Sequence, residues 1–200
     1  MSNFAHWFDP LWLVQAAGLL GVWLIIFAES GLFFGFFFPG DSLLFTAGFL
    51  ASQGHLELWL LIIGAVAAAC LGDSVGYWFG AKVGPKIFSR ADSFFFHQEH
   101  LERTRVFYAR HGKPTIVLAR FVPIVRTFAP ILAGVGRMEY QVFLIYNLVG
   151  GAVWGGGLPL LGYLLGAIFP GVDRYLLVIV AAIVVLSLIP ALRHLRYNGK

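Results

Sequence analysis

The chain has 200 residues, 59% of them hydrophobic and only 12% charged, and its mean hydropathy is +0.81. That balance excludes an ordinary soluble domain and specifies an integral membrane protein of one domain. A formal net charge of +4 does not call for nucleic acid as a partner, because the basic residues are placed as a membrane protein places them. Cys70 stands alone in an apolar run, which excludes an internal disulfide and any cysteine-based metal set.

Residues 1–10 are a short lead, and Trp7 with nearby Trp12 suits a membrane interface. No Lys or Arg precedes the first apolar run and no small-residue cleavage site follows it, so a retained rather than a cleaved segment is expected. Residues 11–28 predict a first span. Residues 29–51 predict a hairpin that enters and leaves by one face. Nine mostly apolar residues run up to Pro39-Gly40 and nine more follow Asp41. A nine-residue helix is about 13 Å long and the hydrocarbon core about 30 Å thick, so each arm reaches about half way. Pro39 lacks an N–H and Gly40 permits a sharp turn, which puts Asp41 at the tip and Glu29 where the hairpin begins. The alternative is a single long kinked helix, or a hairpin whose acids only cap helix ends.

Residues 52–57 are a loop, and residues 58–80 predict a second span carrying Asp73. The only long polar stretch, residues 81–113, holds seven of the basic residues. Residues 114–136 are apolar but broken by Arg120, Pro123, Arg126 and Pro130, and predict a second hairpin with the two prolines at its turn. Residues 140–166 and 175–192 predict spans three and four, followed by a basic tail of Arg193, Arg196 and Lys200. Lys and Arg bias orients the chain: the 81–113 stretch and both termini are cytoplasmic, and the hairpins open to opposite faces.

Residues 76–80 (Gly-Tyr-Trp-Phe-Gly) recur at 162–166 (Gly-Tyr-Leu-Leu-Gly), and the same offset carries Ala47-Gly48 onto Ala133-Gly134 and Gly64 onto Gly150. With opposite orientations, these halves (about 11–80 and 97–166, plus an extra span at 175–192) follow the inverted-repeat plan of secondary transporters. The fold class is therefore all-α: four transmembrane helices, two opposed re-entrant hairpins, and an amphipathic surface helix over the charged residues 97–114. Glycines spaced four apart suit close helix packing within the monomer, and a homo-oligomer is left open.

Ionisable residues within a membrane are functional hypotheses by default. Arginine presents a planar fork of donors suited to phosphate. Arg120 and Arg126 either neutralise Glu29 and Asp41 or meet them across the midplane to admit a phosphate head-group, and the two readings are compatible. Asp73 is a third member of a proton path or, the favoured reading, an interhelical hydrogen-bond partner. Asn147 and Trp154 read as packing and hydrogen-bonding residues. His97, His100 and His111 read as surface residues, so no metal is expected. No nucleotide-binding loop, zinc-protease or serine-hydrolase motif is present, and neither an enzyme nor a cofactor is expected.

Glu29, Phe38-Pro39-Gly40-Asp41-Ser42, Gly72-Asp73 with Gly76-Tyr77, His111-Gly112, and Ala119-Arg120-Phe121 with Pro123 and Arg126-Thr127 together resemble the DedA family of bacterial inner-membrane proteins, also called the VTT-domain group. The likeness runs from about residue 19 to residue 166. It implies a lipid flippase or scramblase linked to the proton-motive force, with Glu29, Asp41, Arg120 and Arg126 as the required charges. The substrate it implies is undecaprenyl phosphate or phosphatidylethanolamine. The expected function is thus proton-coupled movement of a lipid phosphate, Arg120 and Arg126 holding the phosphate and the acids exchanging protons. A proton-coupled exporter of small cations or drugs is the alternative.

Overall fold

The computed structural model describes residues 10–31, 40–88, 114–169, 171, 178, 179 and 182. Among them the secondary structure is entirely helical: α1 (Pro10–Gly31), α2 (Gly40–Ser52), α3 (Leu58–Phe88), α4 (Pro114–Ala119), α5 (Pro123–Val135) and α6 (Tyr140–Ile168), beyond which only fragments of the last apolar segment are described. Pro39, residues 32–38 of the first hairpin, the histidines at 97, 100 and 111, the amphipathic segment short of its last residue, and nearly all of the fourth span lie outside the described residues.

Among the described residues, two helices are long and apolar enough to cross a membrane. Within α3, Leu58–Val83 has a mean hydropathy of 2.0, and α6 has one of 1.5. At 1.5 Å per residue each exceeds the roughly 30 Å of a hydrocarbon core. Large apolar side chains stand exposed along both, among them Ile63 and Leu71 on α3 and Ile145 and Leu161 on α6. A helix in the core of a soluble protein hides such a surface; lipid receives it at no cost. The two run antiparallel, Cys70 of α3 facing Asn147 and Gly151 of α6 while Ile62 faces Gly156.

Each long helix follows a pair of shorter ones. Val14 and Gly18 of α1 border a cavity of about 280 Å³ with Leu50, His55 and Leu56, at the end of α2 and the loop after it. The other end of α1 lies deep: Gly31 is against the Gly72 backbone and Glu29 against Gly40, the first residue of α2. α1 and α2 are thus antiparallel arms opening at the N-terminal end of α3. The second pair is turned the other way. Ile116 of α4 and Ala133 of α5 share a buried cluster with Tyr77 and Phe143, at the C-terminal end of α3 and the start of α6. Between them the N–H groups of Arg120, Phe121 and Val122 donate to carbonyls three residues back, and Pro123 starts α5, where its missing N–H is no loss.

Two sequence expectations need correction. Residues 11–28 are not one crossing helix from the opposite face. Gly18 adopts φ 60°, a left-handed conformation that breaks α1. The apolar part beyond it, Gly18–Gly31, reaches only about 20 Å and begins at the level of the 52–57 loop. Pro130 is not at a turn. It lies buried inside α5, its Cβ 3.5 Å from where a Cβ on Gly76 would stand.

Gly48 and Gly134, 86 residues apart, do equivalent work in the two halves. α2 packs on α6: a Cβ on Gly48 would strike the Pro159 carbonyl, and one on Gly162 the Phe45 carbonyl. α5 packs on α3: a Cβ on Gly134 would strike the Tyr77 carbonyl, and one on Gly80 the Ile131 carbonyl. Each second arm therefore lies backbone to backbone against the long helix of the other half. Gly157 has nothing within 4 Å of such a Cβ. We expect Gly48→Ala and Gly134→Ala each to destabilise the protein by roughly 1–3 kcal/mol through overpacking, while Gly157→Ala does not. Thermal unfolding of the purified variants in one detergent checks this.

Candidate functional site

Five charged side chains converge half way along the two long helices. Asp73 has fifteen residues of α3 on either side, and Trp154, which borders the cluster, has fourteen of α6 on either side. Glu29 comes from the last turns of α1, Asp41 from the first turn of α2, Arg120 from the turn after α4, and Arg126 from the first turn of α5. The inner ends of both hairpins thus meet at one depth. Glu29, Asp73, Arg120 and Arg126 are 1%, 5%, 4% and 9% exposed, which makes pairing obligatory.

The pairing divides into two networks. Arg126 spans both acids of the first hairpin: Nη1 donates to Asp41 Oδ1 over 2.6 Å, and Nη2 donates to Glu29 Oε1. Its guanidinium carbon lies 4.7 Å from the centre of the Trp154 ring, in cation–π geometry. The Trp154 Nε1–H donates to Asp41 Oδ1 over 2.9 Å. In the second network Arg120 Nη2 donates to Asp73 Oδ2 and to Asn147 Oδ1. Asn147 is oriented in turn by donating from Nδ2 to the Cys70 carbonyl over 3.1 Å. The methylene stem of Arg120 passes over Gly150, where any side chain would block it.

The structure therefore brings together all five charged residues singled out by sequence, and corrects two details. Glu29 does not sit at a hairpin mouth. It shares the deep end with Asp41 because α1 continues as helix through Gly31. Arg120 pairs with Asp73 and Asn147, whereas Arg126 is the arginine that pairs with both acids of the first hairpin. Gly40 is at the deep end, where a side chain would strike the Glu29 carboxyl. Trp154 and Asn147, expected as packing and hydrogen-bonding residues, do hydrogen-bond, and within the cluster itself: they supply a donor to Asp41 and an acceptor to Arg120. Neither stood among the candidate site residues, although an Asn inside an apolar span is such a signal. Among the described residues no group of His, Cys, Asp and Glu could hold a metal ion.

Beside the cluster lies an open cavity of about 510 Å³. Asp41, Arg120 and Trp154 form its polar end, and Val153, Leu160, Leu161 and Leu164 of α6 line its apolar length. Asp41 is the acid least withdrawn from it, with 19% of its side chain exposed.

The VTT domain model matches residues 38–164, which holds α2 to most of α6 and every member of the cluster except Glu29. The chain belongs to the VTT-domain, or DedA, family. It is 42% identical over 92% of its length to the protein DedA of Escherichia coli K12, covering 89% of that protein. It is also 42% identical to a membrane protein of Mycobacterium leprae, over 93% of this chain and 83% of that one. A Mycobacterium tuberculosis H37Rv membrane protein matches at the same identity over 92% and 84%. No solved structure matches the chain. Membership among membrane proteins, together with two spanning helices and their exposed apolar faces, makes this VTT-domain chain a membrane protein, and its charge cluster a buried intramembrane one.

Removing one partner of a buried ion pair leaves the other uncompensated, at a cost of about 3–5 kcal/mol. We expect Asp73→Asn and Arg120→Gln each to destabilise the protein and to couple by about 1 kcal/mol or more in a double-mutant cycle. The Glu29→Gln with Arg120→Gln cycle should couple less. Unfolding measurements on the three single and two double variants check the assignment.

Proposed function

We propose that this DedA-family chain carries a lipid phosphate across the membrane with protons as the coupling ion, undecaprenyl phosphate being the first candidate. The observation that carries the reading is the meeting of oppositely charged hairpin ends at mid-span, beside a side cavity with an apolar length and a polar end. A lipid fits that shape: its chain lies along the apolar wall of α6 while its head-group enters the polar centre. A soluble cation has no use for the apolar length.

Charge supports the proton. Three carboxylates (Glu29, Asp41, Asp73) and two guanidiniums (Arg120, Arg126) give the centre a formal charge of −1 when all are ionised. A phosphate head-group adds further negative charge to a site that already lacks water's screening, which is prohibitive unless protons enter with it. Glu29 and Asp41 are the acceptors on this reading. Arg126 and Arg120 hold the phosphate, and Asp73 with Asn147 keeps Arg120 aimed.

The wider architecture follows the same reading. The two hairpins are re-entrant, entering from opposite leaflets as halves of an inverted repeat, and the last apolar segment supplies a further span. The basic 81–113 stretch and the C-terminal tail lie in the cytoplasm of a bacterial inner membrane, whereas α1, beginning at the level of the 52–57 loop at the other end of α3, enters from the opposite side and not from a cytoplasmic N-terminus. The cross-packing glycines at 48 and 134, which stand 86 residues apart, support the repeat, since each lies against the backbone of the other half's long helix.

Flipping of a fluorescent polyprenyl phosphate in proteoliposomes tests the function. Arg126→Ala and Arg120→Ala each lose a charge-assisted contact to the head-group, and the rate should fall by about tenfold or more. Unchanged translocation in both variants contradicts the phosphate assignment. Flux of a soluble cation without lipid movement replaces the lipid carrier with a cation exporter.

A further inference from the structure

One oxygen in the cluster is held by two donors from different elements. Asp41 Oδ1 accepts from Arg126 Nη1 of α5 at 2.6 Å and from Trp154 Nε1 of α6 at 2.9 Å. An indole N–H can only donate, and a guanidinium only donates. Two donors, one of them charged, that converge on a single anionic oxygen make an anion-binding site. In this structure a carboxylate of the protein itself fills it.

The position of this oxygen separates it from the other acids. Asp41 and Trp154 both line the cavity of about 510 Å³, and Glu29 does not. Part of the Asp41 side chain is exposed there, at 19%, whereas Glu29 is sealed at 1%. The indole is held on its other side by the guanidinium it faces, at 4.7 Å from Cζ to the ring centre. Trp154 is thus fixed at the boundary between the cavity and the ion pairs, with its N–H directed at the one carboxylate that borders both.

We propose that Trp154 Nε1 and Arg126 Nη1 are the paired donors of an anion site in which Asp41 is the resident occupant, displaced when a phosphate oxygen of a cavity-bound ligand takes its place. This rests on the lipid phosphate reading above and deepens it: Trp154 becomes a direct ligand contact, and Asp41 becomes the internal competitor of the substrate. The exchange keeps charge in balance at the donors, since one anionic oxygen replaces another. A proton on Asp41 weakens its hold on both donors at once, so protonation and head-group entry are coupled through a single atom. No covalent step is involved. The Arg126–Glu29 pair stays in place during the exchange and keeps the guanidinium aimed.

Binding of farnesyl phosphate to the full-length protein in nanodiscs tests the proposal, with farnesol as the control for the apolar wall. Asp41→Asn, which replaces the charged competitor by a neutral one, should tighten farnesyl phosphate binding about tenfold, and Trp154→Phe, which keeps the ring face but lacks the N–H, should weaken it about tenfold. Trp154→Phe should weaken binding in the Asp41→Asn background as well, and farnesol binding should stay unchanged throughout. The ligand-free melting temperature of each variant reports its folding separately. Unchanged or weaker binding by Asp41→Asn overturns the proposal whatever Trp154→Phe does, and so does full affinity in a folded Trp154→Phe. Equal binding by all forms removes this inference and leaves the lipid carrier standing; no farnesyl phosphate binding by any form removes both.

Discussion

Everything in this structure turns on the Arg126 guanidinium, which lies between two carboxylates and over an indole at the centre of the protein. Desolvating a charge is expensive, and an ion pair repays it only when the geometry is good and the remaining donors are satisfied. Arg126 reaches from α5 to α1 and α2 at once and pairs with a carboxylate on each. The consequence is a constraint on the whole fold. Both hairpins must stop half way, from opposite ends, and at one depth. A shift of either by one helical turn, about 5.4 Å, would leave buried charges unpaired.

Small residues make that convergence sterically feasible. α2 and α5 each lie against the long helix of the other half with backbones in contact at Gly48, Gly162, Gly80 and Gly134. In lipid there is little hydrophobic force between helices, so close van der Waals packing carries the association. The polar interactions then choose the register. Asn147 and Asp73 seat Arg120, and Tyr77 closes the outer end by donating to the Met138 carbonyl. Packing brings the elements together, and the ion pairs select the single arrangement in which the cavity has a polar end.

Much of this was legible in the sequence because lipid leaves so few options. Long apolar runs located α3 and α6 to within a few residues at most ends, and arginines beside a proline in an apolar stretch marked a break. The choice of partners was harder. That Arg120 meets Asp73 rather than the acids of the first hairpin depends on the antiparallel register of α3 and α6, to which no local pattern speaks. Gly18 hides in the run Ala-Ala-Gly-Leu-Leu, where a glycine reads as tolerated helix, so the break in α1 and the true depth of Glu29 were missed. Pro130 misled for the opposite reason: proline is a helix breaker in isolation, yet here it sits within α5 and packs near Gly76. Trp154 read as a packing and hydrogen-bonding residue, but not as a member of the site. Its role depends on the direction of one N–H, which composition does not encode.

Opposed entry of the two hairpins is the claim from which the paired charges and the carrier reading both follow. Sidedness labelling measures it directly. With Cys70 replaced by serine, single cysteines at His55, in the exposed loop where the first hairpin opens, and at Arg137, in the exposed turn that ends the second, are treated with a membrane-impermeant maleimide in sealed vesicles of known orientation. The structure requires the two positions to react from opposite sides of the membrane. Reaction of both from the same side would mean that the hairpins share a face, and that the charges do not meet as described.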